Sequence, residues 1–337
     1  MTAIGTLKTL ADWAKQLDPD GSTSAVAEIL SQTNEILDTA MFKEGNLPTG
    51  ERVTIRTGLP TTYWRMLNAG VPTSKATSAQ VDEQCGSLTA RSQIDAKLAR
   101  LNGNTMEFRL SESRAFIEAM SQEMAATMFY GSAANPEEFV GLANRYNSLS
   151  AGNAENILSA GSDDTDNTSI YLVGWGENEV YGIFPKGSKA GIMHEDLGVG
   201  DAFDGSNYRF RAYMDNYEWD AGLVVKDWRY AVRIANIEVS DLVALSGTQA
   251  LTASTSIIKL MARAIDRLPR MSGIKPVFYV NRTVASHLRV AALDKVSSVL
   301  SIEAGLNQFG DSIQQLKFLG VPVGISDAIT NAESLVS

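Results

Sequence analysis

For over fifty residues, from 49 to 103, the chain offers little that could fill a core. Arg52-Val53-Thr54-Ile55-Arg56-Thr57 alternates as a strand does, Gly58-Leu59-Pro60 turns it, and Thr61-Thr62-Tyr63-Trp64-Arg65 is β-favouring with aromatics. Small residues from Val71 to Ser78 lead into a returning run from Val81 to Leu98. The economical reading is an extended hairpin that projects from the body, and such a ribbon is stable only when another surface covers it. Tyr63 and Trp64, with Arg65 beside them, are the candidate contacts to a neighbouring subunit, because aromatics dominate interface hot spots. Packing inside the subunit is the alternative for these residues. On the projecting reading, removal of residues 55–95 leaves a folded subunit.

The element next along the chain is a strut. Ser111 or Ser113 is placed to cap a helix that runs to Tyr130, with Ile117, Met120, Met124 and Met128 recurring at three- and four-residue steps on one face. Gly131 is expected to close it in the left-handed conformation. Asn135 and Pro136 then read as the cap and first turn of a second helix, with Glu137 and Glu138 where the helix dipole favours anions.

Residues 1–48 read as an arm of two short amphipathic helices, one with Ile4, Leu7, Ala11, Ala14 and Leu17 on its apolar face and one with Val26, Ile29, Leu30, Thr33 and Leu37. Asn153 to Ser169 reads as a loop. Its acidic run from Asp163 lacks the sixth-position glycine and twelfth-position glutamate of a calcium loop, so solvated loop is preferred. Residues 170–238 are β-rich, with strands at Ile170–Val173, Val180–Phe184, Tyr208–Met214, Leu223–Val225 and Trp228–Ile234. Arg209 and Arg211, and then Arg229 and Arg233, alternate against apolar neighbours. Asp215, Glu218, Asp220 and Asp227 are the nearby carboxylates expected to neutralise them. A sheet with helices on one face is the expected layering. From Ser240 the pattern becomes a compact α/β lobe: a helix with Ile257, Met261, Ala264, Ile265 and Leu268 on one stripe, a strand at Pro276–Val280, a helix at Arg282–Leu293 and a strand at Lys317–Ile325.

The chemistry that usually leaves a local motif is absent from this pattern. His194-Glu195-Asp196 sits in a glycine-rich stretch without the spacing of a zinc helix, His287 stands far from it, and a solvated turn is the expectation for His194. Gly174-Trp175-Gly176-Glu177 fails the dinucleotide fingerprint, and Gly187-Ser188-Lys189-Ala190-Gly191 lacks the Lys-Ser/Thr pair of a phosphate loop. No catalytic residue, metal or cofactor is therefore assigned. Cys85 stands alone and reads as a small strand residue in a chain suited to a reducing compartment. A net charge of −10, from 29 basic and 39 acidic residues, argues against a protein whose main task is gripping nucleic acid. It suits a container that repels what it encloses. Neither a signal peptide nor a membrane span is read in the sequence, so synthesis in the cytoplasm is expected.

The resulting order is N-terminal arm, long hairpin, strut helix, β-rich layer and terminal α/β lobe. That order resembles the major capsid proteins of tailed bacteriophages, an α+β fold of the Hong Kong ninety-seven type whose parts are the N-arm (1–48), E-loop (49–103), P-domain with its spine helix (104–239, spine 111–130) and A-domain (240–337). Asn135-Pro136-Glu137-Glu138-Phe139-Val140-Gly141-Leu142, Trp228 to Ile237, and Phe318-Leu319-Gly320-Val321-Pro322-Val323 running to Asp327-Ala328-Ile329 are similar to the capsid proteins of short-tailed, epsilon-fifteen-like phages. The resemblance implies a structural protein of the virion, assembled in the host bacterial cytoplasm. Its copies close into hexamers and pentamers of an icosahedral shell that encloses double-stranded DNA without sequence-specific binding. A separate scaffolding protein, a portal and a decoration protein are the further partners expected, and no membrane. The runner-up is an encapsulin-like nanocompartment shell; the reading from another class is a soluble α/β enzyme with no recognisable local motif.

Overall fold

In the computed structural model, which describes residues 31–101, 105–161, 165–204, 207–242, 257–293, 300–306 and 312–337, the chain meets the body from Gln32, whose amide donates to Glu118 Oε1 at 2.9 Å, and is fastened at Asn34. Its side-chain carbonyl accepts from Ser326 Oγ at 2.8 Å and from the Ala328 amide at 3.1 Å. A short helix, α1 (Glu35–Thr39), buries Ile36 completely, and strand β1 (Phe42–Glu44) lies parallel to a strand of the main sheet. The expected arm is therefore part of the body from Gln32 onward. Thr33 is extended, not helical, and Val26, Ile29 and Leu30, like the whole first helix of the arm, lie outside the described residues.

Strands β2 (Gly50–Gly58) and β3 (Thr77–Gln84) form a two-stranded antiparallel ribbon that pairs with no other strand. Strand β4 (Gly86–Asp95) belongs elsewhere: it pairs over ten residues with the longest strand of the main sheet. The hairpin expected over 49–103 thus ends at Gln84, and removal of residues 55–95 would take out a sheet strand. Alternation alone does not distinguish a ribbon strand from a sheet strand, since both have period two. After β4 come α2 (Ala96–Arg100), capped by the Asp95 carboxylate on the Lys97 amide, and the long helix α3 (Thr105–Tyr130).

At 26 residues α3 is roughly 39 Å long, and it begins six residues before the expected start. Ser113 does not cap it. Its hydroxyl donates to the Arg109 carbonyl one turn earlier and accepts from Tyr217 Oη at 2.7 Å. Met120, Met124 and Met128 are buried as expected, whereas Ile117 is exposed. Gly131 is not left-handed. It is glycine because the chain recrosses the helix end: a Cβ there would lie 2.1 Å from the Phe139 carbonyl oxygen, and one at Gly141 2.6 Å from that of Thr127. Asn135 and Pro136 form a turn, not a helix, and helical geometry resumes only in α4 (Leu142–Arg145). The Glu138 carboxylate accepts from the Asn135 side-chain amide at 3.2 Å and from the Ser132 amide at 3.4 Å, which holds the turn closed where helix continuation was expected.

The remaining strands are β5 (Ile157–Ser159), β6 (Asn167–Trp175), β7 (Val180–Phe184), β8 (Met193–Phe203), β9 (Arg209–Val225) and β10 (Ala231–Glu238). After helices α5 (Val239–Leu242) and α6 (Ile257–Arg267) follow β11 (Lys275–Val280), α7 (Arg282–Leu293), β12 (Leu300–Leu306), β13 (Ser312–Phe318) and β14 (Val321–Ile325). Four expectations change here. The two strands expected within 208–225 are one 17-residue strand. The strand expected from Trp228 starts at Ala231, because Asp227 caps a single turn over Trp228–Tyr230. The strand expected over Lys317–Ile325 is a hairpin whose Leu319 and Gly320 both have positive φ, the geometry of a tight two-residue turn. His194 lies on β8, not in a solvated turn.

One sheet runs through β12, β13, β14, β11, β6, β7, β9 and β4. Because β11 pairs directly with β6, the lobe expected from Ser240 shares its backbone hydrogen bonds with the β-rich layer. A common core fills the space around it, with Phe129, Tyr171, Trp175, Phe278, Tyr279 and Phe318 among its fully buried rings. Among the described residues no helix is long and apolar enough to cross a membrane.

Charged clusters near both ends of α3 help to hold it in place. Near its start, Arg109 Nη2 lies 2.7 Å from Asp215 Oδ1 and 2.8 Å from Asp196 Oδ1, tying the helix to β9 and β8. His194 Nε2 is 2.9 Å from the same Asp215 oxygen, and its ring stacks on Tyr217 at 4.9 Å. At the other end Glu333, in the C-terminal strap, is buried and accepts from Tyr130 Oη at 2.5 Å, Tyr171 Oη at 3.2 Å, Ser169 Oγ and Arg233 Nη2 at 2.8 Å. Arg233 spends its other donors on Ser169 Oγ and the carbonyls of Ala143 and Tyr146. Burial raises the phenols of Tyr130 and Tyr171, so both are donors throughout the physiological range.

The expected neutralisation of the β-layer arginines holds for Arg229, which pairs with Asp227. It fails for Arg211, which meets Asp201, and for Arg233, which points inward to Glu333. The reason is that β10 is buried on both faces, so alternation there does not sort inside from outside.

Glu333→Ala leaves the buried guanidinium without its anion, and a loss of about 3–5 kcal/mol is expected, read from the denaturant midpoint of the unassembled subunit. The hydrogen bond from Arg109 holds the Asp196 carboxyl below its usual range. Its stabilising contribution is therefore present above the unfolded aspartate value of about 3.9 and is lost as pH falls through the lower folded one. Amides 109–112 should lose hydrogen-exchange protection below about pH 4, and should show no such pH step in Arg109→Met.

Candidate intersubunit contact surface

The ribbon is anchored only at its base. Val53 is buried against Tyr181, Ile183 and Val224, with Ile55 and Cys85 at the edge of the cluster. Glu51 accepts from Tyr181 Oη at 2.9 Å and meets Lys43 Nζ at 3.1 Å. Glu83 takes both terminal nitrogens of Arg145 at 2.7 Å, and the same guanidinium donates to the Leu223 carbonyl. Cys85 lies between β3 and β4, not within a strand, and is half-buried. Its thiol is pushed up to about 11, chiefly by burial. That favours the unreactive protonated form.

Beyond Val53 the ribbon leaves the body. Arg52 and Asp82 pair across it with Nε 2.6 Å and Nη2 2.7 Å from the carboxylate. From Leu59 to Ala76 no strand forms, so the β-favouring run at 61–65 is part of an irregular tip. No partner strand lies beside it, and Pro60 and Pro72 lack the N–H a ladder needs. Among the described residues the bonds that shape this tip are local: Arg65 Nε to the Ala69 carbonyl at 2.9 Å, Ser74 Oγ to that of Thr61 at 2.8 Å, and a turn at Asn68. The structure places Tyr63, Trp64 and Arg65 together there, all exposed. The Trp64 side chain touches nothing that shields it, at 104% relative exposure, and Leu67 reaches 95%. Among the described residues neither aromatic is packed into the core of its own subunit.

A second exposed tip, missed in the sequence, joins β8 to β9. Phe203 and Tyr208 are exposed there, with the Arg209 guanidinium 5.6 Å from the Phe203 ring centroid. The signal for it is Asp204-Gly205-Ser206-Asn207, a turn motif that implies a strand on each side.

The hollows bordered by described residues include two on the body. One of about 320 Å³, beside the C-terminal strap, is bordered by Tyr130, Asn144, Arg233 and Glu333, whose charged groups are satisfied by one another. The other, of about 150 Å³, lies between the start of β4, the middle of α3 and the turn after it. Leu88, Met124 and Phe139 form its apolar wall, and Glu123, Glu137 and Glu138 also line it.

Comparison with known proteins agrees with this geometry. The family described as major capsid protein GP7 matches residues 18–337. The chain is similar to one in the near-atomic-resolution cryo-EM structure of bacteriophage epsilon15, at 30% identity and a TM-score of 0.73, covering 100% of this chain and 99% of that one. A likeness to the bacteriophage JBD30 capsid has 8% identity, a TM-score of 0.47 and coverage of 93% and 99%. One to the holo-SrpI encapsulin complex of Synechococcus elongatus has 10% identity, a TM-score of 0.43 and coverage of 68% and 96%. No curated protein matches significantly. Matched over nearly its whole length by one family and end to end by the epsilon15 chain, this protein belongs to the GP7 major capsid proteins and has the Hong Kong ninety-seven type of fold.

Proposed function

We propose that copies of this capsid protein close into hexamers and pentamers, and that these tile an icosahedral shell around the double-stranded DNA of a tailed phage. In each copy the β2–β3 ribbon lies over a neighbour as the E-loop. The observation that carries the reading is the bare ribbon tip: an exposed apolar patch of this kind marks a surface that another molecule covers. Tyr63, Trp64 and Arg65 are its contact residues. The spine is α3, the P-domain is the sheet around β4, β8 and β9, and the A-domain begins near Ser240.

A net charge of −10 supports an inner wall to which packaged DNA does not adhere. We further take the chain to perform no chemistry and to work with a separate scaffolding protein, a portal and a decoration protein. Membership of the capsid family disfavours the nanocompartment and soluble-enzyme readings.

Replacing residues 59–76 by an Asn-Gly turn across the β2–β3 ribbon should leave far-UV dichroism unchanged while abolishing closed particles in negative stain. Loss of the dichroism, or normal shells, would sink the ribbon's role. The scaffold is tested by expressing the chain alone: aberrant or open assemblies are expected, and uniform closed shells would refute it.

A further inference from the structure

We propose that the 150 Å³ groove between the ribbon base and the long helix is the receptor for the ribbon tip of a second copy, with Trp64 against its apolar wall and Arg65 on its carboxylates. The inference rests on the overlap reading above and names where on the neighbour the ribbon lands.

Size and chemistry match. A volume of about 150 Å³ accepts a benzene-sized ring, so the six-membered ring of an indole can enter this open groove with the rest of the side chain at its mouth, and the wall here is Leu88, Met124 and Phe139, the last two buried beneath it. Three acidic residues, Glu123, Glu137 and Glu138, also line it. Glu138 is engaged with the Ser132–Asn135 turn, while among the described residues Glu123 and Glu137 have no ion-pair partner. The ribbon is the complement. From Val53 to Val81 it carries Arg56, Arg65 and Lys75 and not one carboxylate, in a chain whose net charge is −10. An exposed indole followed by an exposed guanidinium is what an apolar hollow with an acidic rim binds.

The occupant comes from another molecule. The groove begins at Gly86, two residues past the end of β3, whereas the tip lies beyond the far end of that eight-residue strand. At about 3.4 Å per residue the paired ribbon holds its own tip roughly 27 Å from its own groove. Finger and groove are thus different surfaces of one chain. A contact between unlike surfaces runs head to tail, and it generates a ring when the rotation closes. A hexamer or pentamer needs that kind of contact.

The test uses the full chain under conditions where it forms shells, with yield read by sedimentation and negative stain and folding by far-UV dichroism. Arg65→Glu alone, and Glu123→Lys with Glu137→Lys, should each lower shell yield about tenfold or more, and the three together should restore most of it. In a Cys85→Ser background, Thr62→Cys with Ser87→Cys should give disulfides between copies in assembled shells and none in unassembled subunits. If Arg65→Glu blocks assembly but the acidic-site variants neither impair nor rescue it, and the cysteines do not crosslink, the groove is not the receptor although the ribbon still overlaps a neighbour. If neither Arg65→Glu nor Trp64→Ala affects assembly, the overlap reading itself fails.

Discussion

The structure depends on one buried ion pair. Arg233 on β10 and Glu333 in the C-terminal strap meet at 2.8 Å with almost no exposure of either side chain. Neither charge is tolerable alone at that depth. The geometry works because the pair is surrounded by further hydrogen bonds: Tyr130 brings the end of the long helix, Tyr171 and Ser169 bring β6, and the Ala143 and Tyr146 carbonyls bring α4 and its C-terminal end. Five segments distant in sequence are thereby held at one point. A second clasp lies nearby, where Asn236, left-handed at a bulge in β10, exchanges two 2.9 Å hydrogen bonds with the backbone of Val336. The last residues of the chain are thus part of the body.

Against this body the ribbon is a deliberate contrast. Its base is fastened by Val53, by the Glu51–Tyr181 hydrogen bond and by the bidentate Glu83–Arg145 pair, while the bonds of its tip among the described residues are local. The division is also electrostatic, since a basic, aromatic finger stands on an acidic molecule. A net charge of −10 makes copies of the subunit repel one another in general, and the proposed docking of the finger would attract them at one place. For a shell protein this asymmetry favours ordered association over indiscriminate aggregation.

Where residue pattern and environment agree, the elements could be read directly. The Val180–Phe184 strand and the Arg282–Leu293 helix have the expected boundaries, and the stripe from Met120 to Met128 faces the core as its spacing requires. Failures cluster where local preference met a long-range partner. Asn135-Pro136-Glu137-Glu138 has the chemistry of a helix start, yet the chain must recross the helix end between Gly131 and Gly141, and a turn results. Met193–Phe203 is rich in glycine and acids and reads as loop, yet ten of its residues pair with β9. Of the contact surface, the finger was legible because Tyr63 and Trp64 lie in a stretch that cannot bury them. The groove was not, because Leu88, Met124 and Phe139 come from three separate segments.

The order of parts, the acid excess, the bare aromatic hairpin and the strut helix are determined by the sequence alone, since composition and short-range periodicity suffice for each. Only the tertiary structure decided that β4 belongs to the sheet, that Arg233 points inward to Glu333, and that Glu123, Glu137 and Glu138 line one hollow with Leu88, Met124 and Phe139. Those outcomes depend on which distant segments meet, and the free energy of a strand pair or a buried ion pair lies in that meeting, not in the residues on either side.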